Sequence, residues 1–386
     1  MKVRLHRNQA TIGGNIIEIT SNNSRLLLDI GLDLVPENNQ SLPEIPGLFD
    51  YAGFDVVIVT HYHSDHIGLA YNIHPNIPLY MGEMSFKTLK ASDQYLRRTT
   101  LNPTGFLRHK QSFKIKDITV TPFLCDHSAF DSYMILCETE DESLLYTGDF
   151  RGHGRKPYQW LLSELPRNVD VLICEGTTLS RSSYKLQTES QLEDECVQLF
   201  KPHSGPIFVL QSSMNIDRLV TMYRATKRSN RIFLQDLYLA SITTTIGGRI
   251  PNPSFSDVYV FRTTYKRHSQ HLTYPRRIGI KGISKQHFVM CVRTSMLRYF
   301  KSLSKQVSFQ DGLLIYSLWE GYKDTIEMQT FLNECEVLGL KIISCHTSGH
   351  ADERAINQLI NHCNPKKIIP VHTLNPEWFN VDDTII

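Results

Sequence analysis

The segment "FDVVIVTHYHSDH", residues 54–66, constrains the fold of this chain more than any other. The run "FDVVIV" is too short for a helix and predicts a strand buried on both faces. His61 and His63 lie two residues apart, so they can converge on one ion, while Asp65 and His66 can face a second. Neutral imidazole and carboxylate are zinc ligands. The turn therefore predicts a metal site, with a few solvated surface histidines as the alternative.

The overall amino-acid composition is that of an ordinary globular protein. Its 386 residues, 41% hydrophobic and 21% charged, suffice for one large domain or two. No apolar run approaches the roughly 18 residues needed to cross a membrane, and the first residues lack the apolar stretch of a signal peptide. Eight cysteines without a CxxC pair predict buried free thiols and a reducing, cytoplasmic location.

Charge is distributed unevenly along the chain. The segment from Val258 to Gln310 contains eleven Lys and Arg residues and no Asp or Glu, although the net charge of the whole chain is only +2. The aromatic residues interleaved with these cations are Phe261, Tyr265, Tyr274 and Phe288. Such a segment is typical of a surface that binds a polyanion. A solvated basic face without a partner is the alternative.

Further polar residues follow other β-rich runs. "LLLDIG" contains Asp29, "VTPFLCDHSAFDSYMI" contains His127 and "SLLYTGDFRGHG" contains Asp149. Each residue is expected at the same edge of a sheet, where layered α/β folds place their sites. Together with "THYHSDH", this order of motifs resembles that of the metallo-β-lactamase fold.

The second half of the sequence narrows the resemblance. "LICEGTTL" contains Glu175, "SCHTSGHADERAINQLI" contains His350 and "PKKIIPVHT" contains His372. These look like the three additional motifs of the β-CASP branch, the nuclease branch of the fold. Within that branch, the chain is most similar to the ribonuclease J-like group, from about Asn15 to His372.

The resemblance implies an α/β fold, a metallo-β-lactamase αββα sandwich with an inserted β-CASP α/β domain. We expect the first part of the metallo-β-lactamase domain at residues 1–205, the inserted domain at 206–324 and the return segment at 325–386. Alternating strand and helix patterns from residue 206 onward favour a small parallel sheet in the insert. The cleft between the two domains would hold the metals. The segment 258–310 would form a wall or lid there, or would instead face solvent or a partner subunit.

By resemblance, seven side chains hold two Zn²⁺ ions per chain, with Mn²⁺ as a substitute. One metal is assigned to His61, His63 and His127, the other to Asp65, His66 and His372, and Asp149 bridges the two. The catalytic residues are Asp65, His350 as general acid and Glu175, which would fix the tautomer of His350. Phosphate contacts are expected from Ser128, Ser348 and Gly349. Asp29 would either support a metal ligand or cap the end of its strand.

The expected function is metal-dependent hydrolysis of phosphodiester bonds in single-stranded RNA, by a hydroxide shared between two metals. A histidine at the last motif, His372, favours RNA, and DNA stays open as a substrate. No membrane partner is expected. The rivals are a hydrolase of small-molecule esters, thioesters or cyclic nucleotides with the same fold, and a non-catalytic binding protein. Because the sequence ends fourteen residues after His372, without the C-terminal domain that helps such enzymes to dimerise, the oligomeric state stays open and includes a homodimer.

Overall fold

A computed structural model describes residues 1–7, 10–34, 42–180 and 186–379. The chain forms two compact units, Met1–Leu186 with Gly349–Ile386, and Gln187–Ser348. The units divide after residues 186 and 348, whereas the predicted domain boundaries lie after residues 205 and 324. The assignment of the parts to a metallo-β-lactamase domain and an inserted domain stays a prediction. Within the described ranges, no helix is both long and apolar enough to cross a membrane. All eight cysteines are buried free thiols, as the sequence predicted.

The first unit contains two six-stranded sheets, with strands numbered here in chain order. The first sheet consists, in spatial order, of β1 (Lys2–Leu5), β2 (Ile17–Thr20), β3 (Arg25–Leu28), β4 (Val56–Ile58), β5 (Leu79–Gly82) and β6 (Gly105–Leu107). The second consists, in the same manner, of β7 (Phe113–Ile115), β8 (Ile118–Cys125), β9 (Ser132–Glu138), β10 (Ser143–Tyr146), β11 (Val171–Glu175) and β18 (Lys367–Val371). The α-helices of this unit are α1 (Ser64–Ile67), α2 (Glu83–Leu96), α3 (Tyr158–Glu164) and α11 (Glu353–Cys363).

The two sheets pack face to face because apolar residues alternate along their strands. Val56 and Ile58 of β4 belong to the core between the sheets, whereas Val57 packs in a second core on the outer face. The run "FDVVIV" is thus buried on both faces, as predicted. On the outer face of the second sheet, Leu172 of β11 lies in one cluster with Ile356 of α11. Helices therefore cover the sandwich, which confirms the predicted αββα fold.

Helix α11 illustrates how the sequence fixes an element beside the site. Asp352 caps its N-terminus by accepting a hydrogen bond from the Ala355 backbone N–H at 3.2 Å. Ala355, Ile356 and Leu359 are buried against the second sheet and lie on one helical face. The helix ends at Cys363, and Asn364 adopts the left-handed conformation that is common after a helix. The cap holds the preceding loop, which carries His350.

The second unit is built on one six-stranded sheet in which all neighbouring strands are parallel. Its strands are, in spatial order, β14 (Val258–Phe261), β13 (Ile232–Asp236), β15 (Phe288–Val292), β12 (Ile207–Leu210), β16 (Gly312–Tyr316) and β17 (Leu340–Ser344). Its α-helices are α4 (Glu189–Phe200), α5 (Ile216–Arg228), α6 (Leu237–Ile246), α7 (His268–Leu272), α8 (Ile280–Ile283), α9 (Leu297–Leu303) and α10 (Ile326–Val337).

Packing explains why this unit extends beyond the predicted insert. Helix α4 contributes Leu192 and Phe200 to the same apolar cluster as Leu219 of α5. At the other end, β17 pairs in parallel with β16, with Ile315 opposite Ile343. The partners of these elements are set by contacts between distant residues, which a local sequence pattern does not encode.

A fully buried ion pair joins α4 and α5 inside the second unit. The Arg218 guanidinium donates to the Glu189 carboxylate at 3.2 and 3.3 Å, and neither residue is exposed to solvent. It also donates to the Ser317 hydroxyl at 2.5 Å and to the Thr347 carbonyl at 2.9 Å. Arg218 therefore connects two helices with the segment that precedes His350 in the sequence.

Replacing Arg218 by methionine should lower the free energy of unfolding by about 3–5 kcal/mol, because Glu189 would be buried without its cation. Urea denaturation followed by circular dichroism would measure the loss. The control Arg228→Met removes an exposed pair with Asp194 and should cost less than about 1 kcal/mol. Equal midpoints for the two variants would contradict the prediction. Adding Glu189→Gln to Arg218→Met should recover part of the loss.

Candidate metal centre

The sequence-predicted ligands gather in the first unit, on segments that follow strands. The turn with His61 and His63 follows β4, and α1 carries the next two ligands. The others follow β8, β10 and β18, at His127, Asp149 and His372. Ligand atoms of these side chains, together with Glu175 and His350, form three overlapping groups, and the atoms of each group lie within 4.8 Å of one another. These groups are His61, His63, His127 and Asp149; Asp65, His66, Asp149 and His372; and Asp149, Glu175, His350 and His372.

Three imidazole nitrogens of the first group have the spacing of metal ligands. His63 Nδ1 lies 3.2 Å from His61 Nε2 and 3.1 Å from His127 Nε2. Tetrahedral ligands at the usual zinc–nitrogen distance are about 3.3 Å apart. The carboxylate oxygen Oδ2 of Asp149 lies 3.8 Å from the Nε2 atoms of His61 and His127. The donor set and its spacing therefore fit a divalent metal ion.

The second group surrounds the same carboxylate. Asp149 Oδ2 lies 3.1 Å from His66 Nε2, and Asp65 Oδ2 lies 3.0 Å from His372 Nε2 and 3.9 Å from His66 Nε2. All four residues are buried. Asp149 thus contacts both groups, as expected of a bridging ligand.

Asp149 also has an unused acceptor. Its Oδ1 atom is buried and has no hydrogen-bond partner among the residues that the structure describes. A buried carboxylate oxygen without a partner is costly unless a cation or donor satisfies it. Burial would raise the pKa of Asp149, but the imidazoles of His372, His66 and His350 outweigh burial and hold that pKa well below its usual range. The carboxylate is therefore ionised and available to a cation.

Burial keeps the first three histidines neutral at pH 7. It lowers the pKa of His61 and of His127 well below the usual value, and lowers the pKa of His63 to about 4. A neutral imidazole has the lone pair that metal binding requires. His66 differs: burial lowers its pKa, but the carboxylates of Asp149 and Asp29 outweigh burial and raise it overall. A cation would compete with that proton.

Thr60 and Asp29 determine which nitrogen His61 and His66 present. Asp29 Oδ2 lies 2.7 Å from His66 Nδ1 and accepts from the Tyr146 hydroxyl at 2.7 Å. The Thr60 hydroxyl donates to Asp29 at 2.9 Å, so it accepts from His61 Nδ1 at 3.0 Å. Both imidazoles are thereby left with Nε2 facing Asp149. Asp29 thus supports ligands rather than only capping its strand; the sequence left both roles open.

Thr177 orients His372 in the same way. Its hydroxyl donates to Glu175 Oε2 at 2.6 Å and accepts from His372 Nδ1 at 2.7 Å. His372 therefore directs Nε2 toward Asp65. Sequence reasoning did not single out Thr60, Tyr146 or Thr177; the one available signal was that each threonine lies within two residues of a predicted site residue.

Glu175 and His350 form a pair beside the centre. His350 Nδ1 lies 3.1 Å from Glu175 Oε2 and 3.6 Å from Asp149 Oδ2. Glu175 is fully buried and also accepts from the Phe150 backbone N–H at 2.9 Å, so its position is fixed. The side chain of His350 is 21% exposed. Solvent can therefore reach His350, unlike His61, His66 and His372.

The three predicted phosphate contacts do not lie in one unit. Gly349 lies in the first unit, where its carbonyl is 2.6 Å from His127 Nδ1. A Cβ atom at Gly349 would lie 2.5 Å from the Ser128 hydroxyl, so only glycine allows this close approach. Ser348 is buried and is the last residue of the second unit. Their contacts with phosphate stay predictions.

Comparisons with known proteins agree with this geometry. Residues 24–211 match the family model "Beta-lactamase superfamily domain", and residues 338–377 match "Zn-dependent metallo-hydrolase RNA specificity domain". Ribonuclease J of Mycoplasma pneumoniae is 20% identical over 94% of this chain and 66% of its own length. Ribonuclease J of Helicobacter pylori is 25% identical over 57% of this chain and 34% of its own length. The chain thus spans between about a third and two thirds of the length of these relatives.

A solved structure shares the fold over nearly the whole chain. It is described as a protein of unknown function from Enterococcus faecalis V583, and it matches with a TM-score of 0.83 and 21% identity. The match covers 97% of this chain and 94% of the other. The arrangement of two sheets, insertion and return segment is therefore a recurrent fold.

Proposed function

Because the chain is a ribonuclease J-like member of the metallo-β-lactamase fold, in its β-CASP branch, we propose that it hydrolyses phosphodiester bonds of single-stranded RNA. The observation that carries the proposal is the position of Asp149. One buried carboxylate contacts two groups of imidazole ligands and lies 3.6 Å from His350. A candidate metal centre with an adjacent, partly exposed histidine is suited to phosphodiester hydrolysis.

The residues divide between two divalent metal ions, Zn²⁺ or Mn²⁺. His61, His63 and His127 would hold one ion, Asp65, His66 and His372 the other, with Asp149 shared. When bound, such a pair supplies Lewis-acid charge to the phosphoryl group and activates water at neutral pH. The buried hydrogen bonds of Asp29 and Glu175 keep the ligand nitrogens in place, since outer partners of this kind tune metal affinity.

His350 acts as the general acid. Glu175 accepts its Nδ1–H at 3.1 Å, which leaves Nε2 as the atom that donates a proton to the leaving oxygen. The carboxyl groups of Glu175 and Asp149, 3.1 and 3.6 Å from its Nδ1 atom, lie where they can stabilise positive charge on the ring. After bond cleavage, the partly exposed ring regains its proton from solvent.

RNA is the substrate class that the rest of the chain favours. The second unit contains the acid-free segment 258–310 with its eleven cations, which suits a polyanion and not a neutral ester. The matches to ribonuclease J and to an RNA specificity domain point the same way. His372, as one of the ligands, is consistent with the RNA-acting relatives.

The proposal is tested by incubating the purified, metal-loaded protein with 5′-labelled single-stranded RNA. We expect shorter labelled products, which disappear when EDTA removes the metal and reappear when Zn²⁺ or Mn²⁺ is restored. The parallel reactions contain single-stranded DNA, a thioester and a cyclic nucleotide. Turnover of a small ester with intact RNA would replace the proposal by a small-molecule hydrolase.

A further inference from the structure

We propose that Tyr265 forms a stacking platform for an unpaired base of single-stranded RNA, an inference that rests on the proposed function. Tyr265 lies in the second unit, shortly after β14 ends at Phe261. Its side chain is 77% exposed, the highest value for an aromatic residue among those the structure describes. Ligands of parallel α/β sheets bind beyond the carboxyl ends of the strands, which is where this ring lies.

One side of the ring is occupied by cationic and imidazole groups. The guanidinium carbon of Arg262 lies 4.8 Å from the ring centroid, and the His268 ring is parallel to the Tyr265 ring at 5.5 Å. Arg262 and His268 also contact each other, so both lie on the same side of the tyrosine. Because 77% of the side chain is exposed, the ring is accessible to a ligand on its other side. A base can stack there against a ring that is already oriented.

The loop that carries the ring is anchored at both ends to one strand. After β14 the chain makes an excursion over residues 262–277 and returns beside Val260. The Val260 N–H donates to the Arg276 carbonyl at 2.8 Å, and the Ile278 N–H donates to the Val260 carbonyl at 3.0 Å. His271 Nε2 lies 2.8 Å from the same carbonyl. The platform is therefore held before a ligand arrives, which lowers the entropy cost of binding.

The charge around the platform suits an RNA backbone. Lys266 is exposed beside Tyr265, and Arg277 is exposed where the loop returns beside Val260. Within the described part of the chain, these two cations have no ion pair, whereas Arg293 pairs with Asp236. Unpaired cations beside an open aromatic face bind single strands with little sequence preference. A duplex already stacks its bases and offers no free face to the ring.

The test measures binding of a short unstructured RNA by fluorescence anisotropy, with metal-loaded protein in the His350→Ala background to suppress cleavage. Tyr265→Ala should weaken binding by about 5- to 150-fold, the effect of losing one stacked base. Tyr265→Phe, which retains the ring, should bind within about twofold of the background protein. The matched control is Tyr322→Ala, an exposed tyrosine of the same unit whose neighbours include Glu320 and Asp324; it should leave binding unchanged.

Three outcomes would overturn the platform. The first is unchanged RNA binding by Tyr265→Ala. If the variant instead alters self-association, this face is a protein interface and not a base-stacking platform. Equal losses for the Phe and Ala variants would implicate the hydroxyl, and an equal loss on duplex RNA would remove the role of unpaired bases. A loss on single-stranded DNA as well supports stacking. RNA cleavage by the wild-type protein is measured separately. If the protein cleaves RNA but binding does not depend on the Tyr265 ring, only the platform is rejected. If binding depends on the ring but the protein does not cleave RNA, only the proposed function is rejected.

Discussion

Replacing Asp149 by asparagine should abolish RNA cleavage and reduce the bound metal. Asp149 is the fully buried carboxylate that contacts both ligand groups, and the imidazoles around it keep it ionised. The asparagine retains the shape but removes the charge that would offset the two proposed cations. Because such cations would contribute several kcal/mol of transition-state stabilisation, we expect a loss of at least about 10³-fold. Elemental analysis and cleavage of labelled RNA measure the two effects.

Asp170→Asn is a matched control for this change. Asp170 directly precedes β11, at the opposite end of the strand from Glu175, and pairs with Lys366 at 2.6 Å. It should leave metal content and cleavage unchanged. A full metal complement in Asp149→Asn, with cleavage near wild type, would contradict the assignment of Asp149 as the shared ligand.

The second large effect is expected from His350→Ala. Cleavage should fall by roughly 10²–10⁴-fold, the usual contribution of a general acid, while metal content stays near that of wild type. Glu175→Gln should lower cleavage by a smaller factor, because His350 would lose the carboxylate that orients it. The measurement is single-turnover cleavage of labelled RNA, with elemental analysis of the same samples.

His109→Ala provides a matched control, since His109 also pairs with a carboxylate, Glu164, at 3.4 Å. It lies outside the three candidate metal groups and should leave cleavage unchanged. Loss of metal from His350→Ala would instead indicate that His350 is a metal ligand. That role is compatible with its position in the third candidate group, together with Glu175 and His372.

The site was more accessible to sequence reasoning than the boundaries of the units. Histidine and aspartate residues that follow β-rich runs form a distinctive pattern, so His127, Asp149 and His372 could be predicted to lie near one another although they are far apart in the sequence. Thr60 and Thr177 could not, because a threonine has no distinctive pattern and acquires its role only when folding brings a carboxylate and an imidazole to its hydroxyl.

Fold prediction succeeded for the buried strands and missed a polar strand at the edge of one sheet. β3 and β4 are apolar on both faces and were predicted, whereas β1 at the edge of its sheet reads "KVRL" and was not. Helix α10 and β17 fall within residues 325–386, the range predicted for the return segment, but belong to the second unit. Their partners, α9 and β16, are non-local, and periodicity carries no information about such contacts.

One candidate ligand, His372, lies far along the sequence from the others, and this has a consequence for biosynthesis. Asp65 and His372 are hydrogen-bonded partners that lie 307 positions apart, with the whole second unit translated between them. During translation, most histidines of the candidate metal centre are therefore synthesised long before His372. Loop closure over such a distance becomes favourable only once β18 can join its sheet. The emerging chain would thus have an incomplete candidate metal centre, and would lack the proposed cleavage activity, until His372 has been translated and β18 has joined its sheet.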